Sequence, residues 1–211
     1  MGEILQARRR VFAPRQTAAG FTLIELMVTI VVAGILLAVA VPQFESTINS
    51  NRLAGGANEL LTSLQTARME AMRFNHRTTL CLSRNPTSTT PTCAPANASD
   101  ATGFITYIDI NGNDLYNTGT DTLVRQSTLP PNVRILPSAS LATANGSQVT
   151  FRADGFARSP PNNDMATGRI DVCLPVGRPA ENVRRIEIGV GSRMSVTRVD
   201  TDGVCAAPGN P

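Results

Sequence analysis

One run of 21 residues near the start of the chain limits what the chain can fold into. Phe21–Val41 reads FTLIELMVTIVVAGILLAVAV and holds a single charge, Glu25. As an α-helix this run is about 30 Å long, which matches the hydrocarbon thickness of a bilayer. Three interpretations compete: a retained membrane anchor, a secretory signal cleaved at Ala38-Val39-Ala40, or an apolar helix in a soluble core.

Basic residues stand directly before this run. The formal net charge of the chain is +3, and the first twenty residues account for all of it, with Arg8, Arg9, Arg10 and Arg15 against Glu3. The rest of the chain is neutral, so the overall charge does not indicate binding to nucleic acid. Basic residues before an apolar segment favour holding that end on the cytoplasmic side of a membrane.

The junction between the basic segment and the apolar run distinguishes the three interpretations. Ala18-Ala19-Gly20-Phe21-Thr22-Leu23-Ile24-Glu25-Leu26 closely resembles the prepilin cleavage signature of type IV pilins and type II secretion pseudopilins. The resemblance implies that a prepilin peptidase cuts after Gly20 and then methylates the new N-terminal residue, Phe21. It also implies that the leader 1–20 is removed. The apolar run at 21–41 then crosses the bacterial inner membrane once.

Glu25 is the charge that the resemblance explains. A lone carboxylate within a membrane segment is unfavourable by a few kcal/mol at the centre and by less near an interface, so it points to a function. The resemblance implies that Glu25 of one subunit pairs with the α-ammonium group of a neighbour during filament assembly. Out of water, such a pair offsets part of the desolvation penalty of both charges.

The helical pattern continues beyond the apolar run. Small and apolar residues recur at steps of three and four, at Ala57, Leu60, Leu64, Ala67, Ala71 and Phe74. This spacing predicts one helix over about 21–75, whose second half packs an apolar face on a sheet. Pro42 interrupts the run and favours a kink or local melting there.

From residue 76 to residue 211 the sequence predicts a β-rich head, in which short β-like runs alternate with turn residues. The candidate strands are Arg77–Ser83, Phe104–Ile110, Thr122–Thr128, Val133–Pro137, Gln148–Ala153, Gly168–Leu174, Arg184–Val190 and Met194–Val199. Three segments, in this order, resemble the GspH/FimT group of minor pilins and pseudopilins: Leu64–Arg73, Gly103–Asn111 and Val149–Gly155. We therefore expect an α+β chain with the type IV pilin fold, a long N-terminal helix packed on a small antiparallel β-rich head.

Four cysteines lie in the head, and their pattern indicates disulfide bonds. Cys81, Cys93, Cys173 and Cys205 are dispersed and include no CxxC pair. An even number of dispersed cysteines in an exported chain indicates two disulfide bonds. Three pairings are open, and nearest-neighbour pairing, Cys81 with Cys93 and Cys173 with Cys205, is the simplest.

The sequence predicts neither an enzyme nor a cofactor or metal site. The chain has one histidine and no Gly-rich phosphate loop after a strand. Asp109–Asp114 is faintly similar to a calcium loop, but it lacks the glycine and the acid that such a loop needs at its sixth and twelfth positions. Asn111-Gly112 is more simply a hairpin turn, since both residues tolerate a positive φ. Because some pseudopilins bind calcium, the family resemblance keeps a calcium loop as the alternative.

A basic C-terminal segment offers an alternative role. Its candidate DNA-binding residues are Arg184, Arg185, Arg193 and Arg198. Gly191-Ser192-Arg193 and Arg198 loosely resemble an element of FimT-type minor pilins that take up DNA. No aromatic residue is interleaved to stack on bases, so a solvated, ion-paired β-surface is the competing interpretation.

The family resemblance implies a structural function. We expect a minor pilin of a type IV pilus that helps to prime assembly or to cap the filament tip, with other minor and major pilins as partners. Its head would lie in the periplasm and later in a pilus on the cell surface. The alternatives are a DNA-binding minor pilin for uptake and a minor pseudopilin of a type II secretion system.

Overall fold

The computed structural model describes residues 20–159 and 163–211. Most of the predicted leader, residues 1–19, therefore lies outside the described residues. The chain forms two compact units, a first that ends at Pro42 and a second, Gln43–Pro211. Helix α1, Leu23–Phe74, supplies the first unit and continues into the second. The chain stays helical through Pro42, so the local melting predicted there does not occur.

The second unit holds every strand found among the described residues, and each pairing between these strands is antiparallel. The strands are β1 Arg77–Ser83, β2 Gly103–Asp109, β3 Thr122–Thr128, β4 Arg134–Pro137, β5 Ala142–Thr143, β6 Gly146–Phe151, β7 Ala157–Ser159, β8 Asp164–Met165, β9 Gly168–Cys173, β10 Val183–Ile188 and β11 Met194–Val199. A seven-stranded sheet has the order β3-β2-β1-β6-β7-β8, with β5 paired to β6, and a four-stranded sheet has the order β11-β10-β9-β4. The predicted α+β class, a long helix with an antiparallel β-rich head, is confirmed.

The second half of α1 packs on both sheets. Its buried residues recur at steps of three and four: Leu53, Gly56, Ala57, Leu60, Ser63, Leu64, Ala67 and Ala71. Gly56 lets the helix backbone approach the four-stranded sheet, since a Cβ there would lie 3.2 Å from Val172 Cγ1. Phe74 was predicted to share this face but is 47% exposed, because it is the last residue of the helix and lies beyond the buried stripe.

A polar contact fixes the same helix to the edge of the other sheet. The carboxylate of Glu59 accepts hydrogen bonds from the Arg125 guanidinium, at 2.8 Å from Nη2, and from the Ser127 hydroxyl, both on β3. These contacts lower the pKa of Glu59, first through the Ser127 hydrogen bond and then through Arg125. Hydrogen bonds to a carboxylate favour its charged form, so this contact is strongest when Glu59 is ionised.

Strand β11 forms an open edge of the four-stranded sheet. Gly189 N donates to Arg193 O at 2.9 Å, and the register continues with Glu187 opposite Ser195 and Arg185 opposite Thr197. In an antiparallel ladder, hydrogen-bonded and non-bonded pairs alternate. The backbone N–H and C=O groups of the intervening residues, Met194, Val196 and Arg198, therefore point away from β10. Within the part of the chain that the structure describes, no strand pairs with that edge.

Candidate functional site

The start of α1 carries the residues expected to be processed. Phe21 is 83% exposed, and the helix begins two residues later, at Leu23. Thr22 caps the helix, because its hydroxyl accepts a hydrogen bond from Glu25 N at 3.3 Å and its carbonyl accepts one from Leu26 N. This is half of a capping box, and the T-x-x-E pattern could have predicted it from the sequence. The Gly20–Phe21 bond, where the sequence predicts cleavage, therefore lies in non-helical chain just before the start of the helix.

Glu25 stands in the first turn of α1, where the positive end of the helix dipole favours a carboxylate. Among the residues that the structure describes, no cation lies within ion-pair distance of it. The described residues therefore leave its carboxylate without a counter-charge. Chemically, the site can accept a cation from outside the described chain.

The first half of α1 presents an apolar surface that is exposed among the residues the structure describes. Its large side chains are about half to four-fifths exposed, including Leu23 at 77%, Ile35 at 63% and Val39 at 65%. The helix contains a window of mean hydropathy 2.7, apolar and long enough to cross a membrane, and none of that window is buried. Transfer of such a surface out of water is strongly favourable, so it requires lipid or other apolar helices around it.

The four candidate DNA-binding arginines do not form one surface. Arg184 is buried, 5% exposed, and donates to Ser50 of α1, so it lies under the helix. Arg185 follows it in β10 and therefore points to the opposite face, where it pairs with the buried Asp171 at 2.8 Å. Only Arg193, in the turn before β11, and Arg198 have exposed side chains. The ion-paired interpretation describes Arg185 and also Arg198, which lies 4.0 Å from Glu181. Arg184 and Arg198 face each other across the β10–β11 pair, but Arg185 lies on the opposite face, so the four arginines do not share one surface. DNA binding by these residues stays a prediction.

Two disulfides join the strands to flanking loops. Cys81 of β1 bonds to Cys93, and Cys173 of β9 bonds to Cys205 in the C-terminal tail. This is the nearest-neighbour pairing. The tail is held further because Asn210 Oδ1 accepts from Ser140 N at 2.9 Å. The C-terminal segment is therefore tied across the outer face of the four-stranded sheet.

The loop from Asp109 to Asp121 uses its carboxylates internally. Asp109 accepts hydrogen bonds from the backbone N–H groups of Gly112, Asn113 and Asp114 at 2.7 to 3.2 Å. Asp121 accepts from two further backbone amides, those of Ile110 and Asn117. Gly112 has a φ of +73°, as expected for a tight turn at Asn111-Gly112. The turn interpretation fits this geometry, because the loop's own amides occupy the oxygens that a cation would need.

Comparison with known protein families shows which family this chain belongs to. Residues 56–192 match the family model described as Type II transport protein GspH, and residues 15–41 match the Prokaryotic N-terminal methylation motif. The chain belongs to the GspH family. The predicted resemblance to the GspH/FimT group is thereby confirmed. The GspH family comprises pilin-like structural proteins and not enzymes, so this chain is a minor pilin or pseudopilin.

Two crystal structures of one protein are similar to this GspH-family chain. They are the type IV minor pilin FimU of Pseudomonas aeruginosa strain PAO1 in space groups P65 and P21. Identity is 15% in both, and the TM-scores are 0.44 and 0.45. The alignments cover 69% and 70% of this chain and 92% and 90% of the FimU chains. A comparison with curated protein sequences gave no significant match.

Family membership carries two general consequences for this GspH-family chain. It implies association with other pilins, and the methylation motif implies processing by a prepilin peptidase. The motif and the exposed apolar helix are together consistent with anchoring in the inner membrane before assembly.

Proposed function

We propose that the protein is a minor pilin of a type IV pilus, which helps to prime assembly or caps the tip of the filament. One observation carries the proposal: the helix from Leu23 onward exposes an uncovered apolar surface directly after a prepilin-type junction. A soluble protein gains nothing from such a surface, whereas a filament of packed helices is built from it. The head would lie in the periplasm and then on the cell surface, joined to other minor and major pilins.

The proposal assigns roles to three residues at the start of the helix. Prepilin peptidase cuts between Gly20 and Phe21 and methylates the α-amino group of Phe21. The carboxylate of Glu25 then pairs with the α-ammonium group of a neighbouring subunit. This role is supported by the absence of an ion-pair partner for Glu25 among the described residues and by its place in the first helical turn.

Processing is tested by the intact mass and N-terminal sequence of protein extracted from membranes. We expect a chain that begins at N-methylated Phe21. A mature chain that begins at Val41 would instead reveal an ordinary signal peptide and remove the basis of the pilin proposal.

The role of Glu25 is tested by Glu25→Ala, with Glu45→Ala as a matched control, since Glu45 is an exposed glutamate further along the same helix. Glu25→Ala should leave membrane insertion intact, because it removes an unfavourable charge from the apolar segment. It should sharply reduce recovery of the protein in sheared filaments, while Glu45→Ala is recovered normally. Equal recovery of both variants would refute the pairing mechanism.

A second candidate function is a minor pseudopilin of a type II secretion system, which the description of the matched family model favours. Deletion of the gene separates the two. A minor pilin should be needed for surface pili while secretion of folded exoproteins continues, and a pseudopilin should show the reverse.

A further inference from the structure

A basic pocket lies where the lower part of the head meets α1. Its volume is about 230 Å³, and its polar lining comes from Asn49 and Arg52 of the helix and from Asn132 and Arg134 at the start of β4. Its remaining lining residues are apolar apart from backbone: Val133, Leu174, Pro175 and Val176. No aspartate or glutamate lines this pocket. Two arginines therefore line one concave site whose lining includes no carboxylate to balance them.

Helix packing brings these residues together. Gly56 lies one helical turn after Arg52, and a Cβ at Gly56 would lie 3.6 Å from Val133 Cγ1. Because residues four apart share a helix face, Arg52 also faces the chain that leads into β4. Asn132 adopts a left-handed turn, with φ of 65°, directly before that strand. The pocket is thus a product of close backbone approach and a fixed turn.

The arginines of the pocket differ from most others in the head. Arg125, Arg169 and Arg185 each hold a carboxylate at 2.8 to 2.9 Å. Within residues 20–159 and 163–211, neither Arg52 nor Arg134 has a carboxylate within 4.0 Å. A guanidinium presents planar paired donors that suit phosphate oxygens, and two of them at one site favour a phosphate anion.

The position of the pocket along α1 indicates the source of that phosphate. The stretch 26–44 carries no charged residue and lies between Glu25 and Glu45. Its 19 residues span about 28 Å of helix, close to the hydrocarbon thickness. Asn49 and Arg52 follow Glu45 by about 6 and 10 Å of helical rise. A headgroup layer is roughly 5 to 7 Å deep on each side, so by helical rise Asn49 falls within that layer. The Cα of Arg52 falls about 3 to 5 Å beyond it, a distance that a long arginine side chain can cover to reach the headgroup phosphates.

We propose that the pocket of Arg52 and Arg134 binds the phosphate of an anionic phospholipid headgroup, and so seats the head on the membrane before assembly. The inference rests on the proposed membrane anchoring of α1. Arg52 and Arg134 bind the phosphate oxygens, and Asn132 offers an amide donor at the rim. The side-chain amide of Asn49 already donates to Arg178 O at 3.0 Å, so Asn49 contributes only its second amide hydrogen. Glu45 lies on the same helix face as Arg52, seven residues earlier, and weakens the site by repulsion.

The test uses the mature full-length chain in detergent micelles and counts retained lipids by native mass spectrometry. Phosphatidylglycerol is compared with phosphatidylcholine of the same acyl chains, and glycerol 3-phosphate serves as the soluble phosphate. We expect preferential retention of phosphatidylglycerol, reduced about fivefold in Arg52→Gln or Arg134→Gln and about thirtyfold in the double variant. Glu45→Gln should increase retention.

Arg193→Gln is the matched control, because it removes one exposed arginine without an ion-pair partner in the described chain, far from the pocket in the turn before β11. It should leave lipid retention unchanged. Both disulfides are checked by mass in every variant, which shows that the head has folded. Equal retention of the two lipids, an equal loss in Arg193→Gln, or equal binding of glycerol 3-phosphate would overturn the proposal. Preferential retention of a short DNA oligonucleotide would overturn it as well.

These outcomes are independent of the proposed pilus function. A mature N-terminus at Phe21 with no lipid preference would leave the pilin assignment intact and remove the headgroup site. Lipid preference in a protein that does not enter filaments would support the headgroup site and count against the pilin proposal.

Discussion

The Cys173–Cys205 bond allows a quantitative test of what holds the C-terminal tail. The bond joins the end of β9 to a tail that is otherwise held by hydrogen bonds. Thr201 donates to Asn182 at 2.9 Å, and Asn210 accepts from Ser140 N and from the side chain of Arg169 in β9. The perturbation is the paired replacement of Cys173 and Cys205 by alanine, which leaves no free thiol.

The magnitude follows from the length of chain that the bond closes. Cys173 and Cys205 are 32 residues apart, and the loop-entropy model gives about 3.7 kcal/mol of stabilisation for a loop of that length. Cys81 and Cys93 are 12 residues apart, for which the same model gives about 2.8 kcal/mol. For a head of this size, 3.7 kcal/mol corresponds to a fall in Tm of roughly 7 to 15 °C.

The assay is urea unfolding of the mature chain in detergent, followed by tyrosine fluorescence, since Tyr107 is fully buried. Hydrogen exchange at the Thr201 amide, which donates to Asn182 Oδ1, reports on the tail itself. We expect a large loss of unfolding free energy together with faster exchange at Thr201. A loss below about 1 kcal/mol, with Thr201 still protected, would show that the hydrogen bonds hold the tail without the disulfide and would refute the entropic argument.

Three further predictions concern single residues. The pKa of Glu59 is lower in the folded protein than in the unfolded chain. The contribution of Glu59 to folding stability is therefore present above the unfolded pKa and is lost as pH falls through the folded pKa. The Tm difference between wild type and Glu59→Gln should shrink in acid. Gly55→Ala, at an open helical position, should raise stability by about 0.5–1 kcal/mol in urea unfolding, whereas Gly103→Ala should lower it, because an added Cβ would overlap a backbone carbonyl of β3. Arg185→Gln should cost about 3–5 kcal/mol in the same assay, because it leaves the buried carboxylate of Asp171 without its charge partner; no loss would refute that pairing.

The sequence predicted the long elements well because their patterns repeat many times. The helix was expected over about 21–75 and runs Leu23–Phe74, and β1, β3 and β11 have the bounds that their composition indicated. The strands β5, β7 and β8 were missed because two or three residues are too few to show an alternation. The other predicted strands were shifted by one or two residues at their ends.

Sequence reasoning was weaker for the arginines. The side chains of neighbouring strand residues point to opposite faces of a sheet, so Arg184 and Arg185 could not share a surface. This alternation alone was enough to predict their separation from the sequence. The sequence could not show that Arg52 and Arg134 line the same pocket. Their proximity depends on which strand α1 crosses, and so on the strand order of the four-stranded sheet.

The open edge of β11 has a consequence for the isolated protein. Three residues there, Met194, Val196 and Arg198, direct their backbone donors and acceptors away from the sheet, and Val196 is 40% exposed. An extended, β-branched edge is a template on which a second chain can add a strand, and charged residues on such an edge oppose that addition. Arg198 is the only charge in β11, so we expect it to oppose edge-to-edge aggregation. A preparation carrying Arg198→Val should form β-rich aggregates that the native protein avoids.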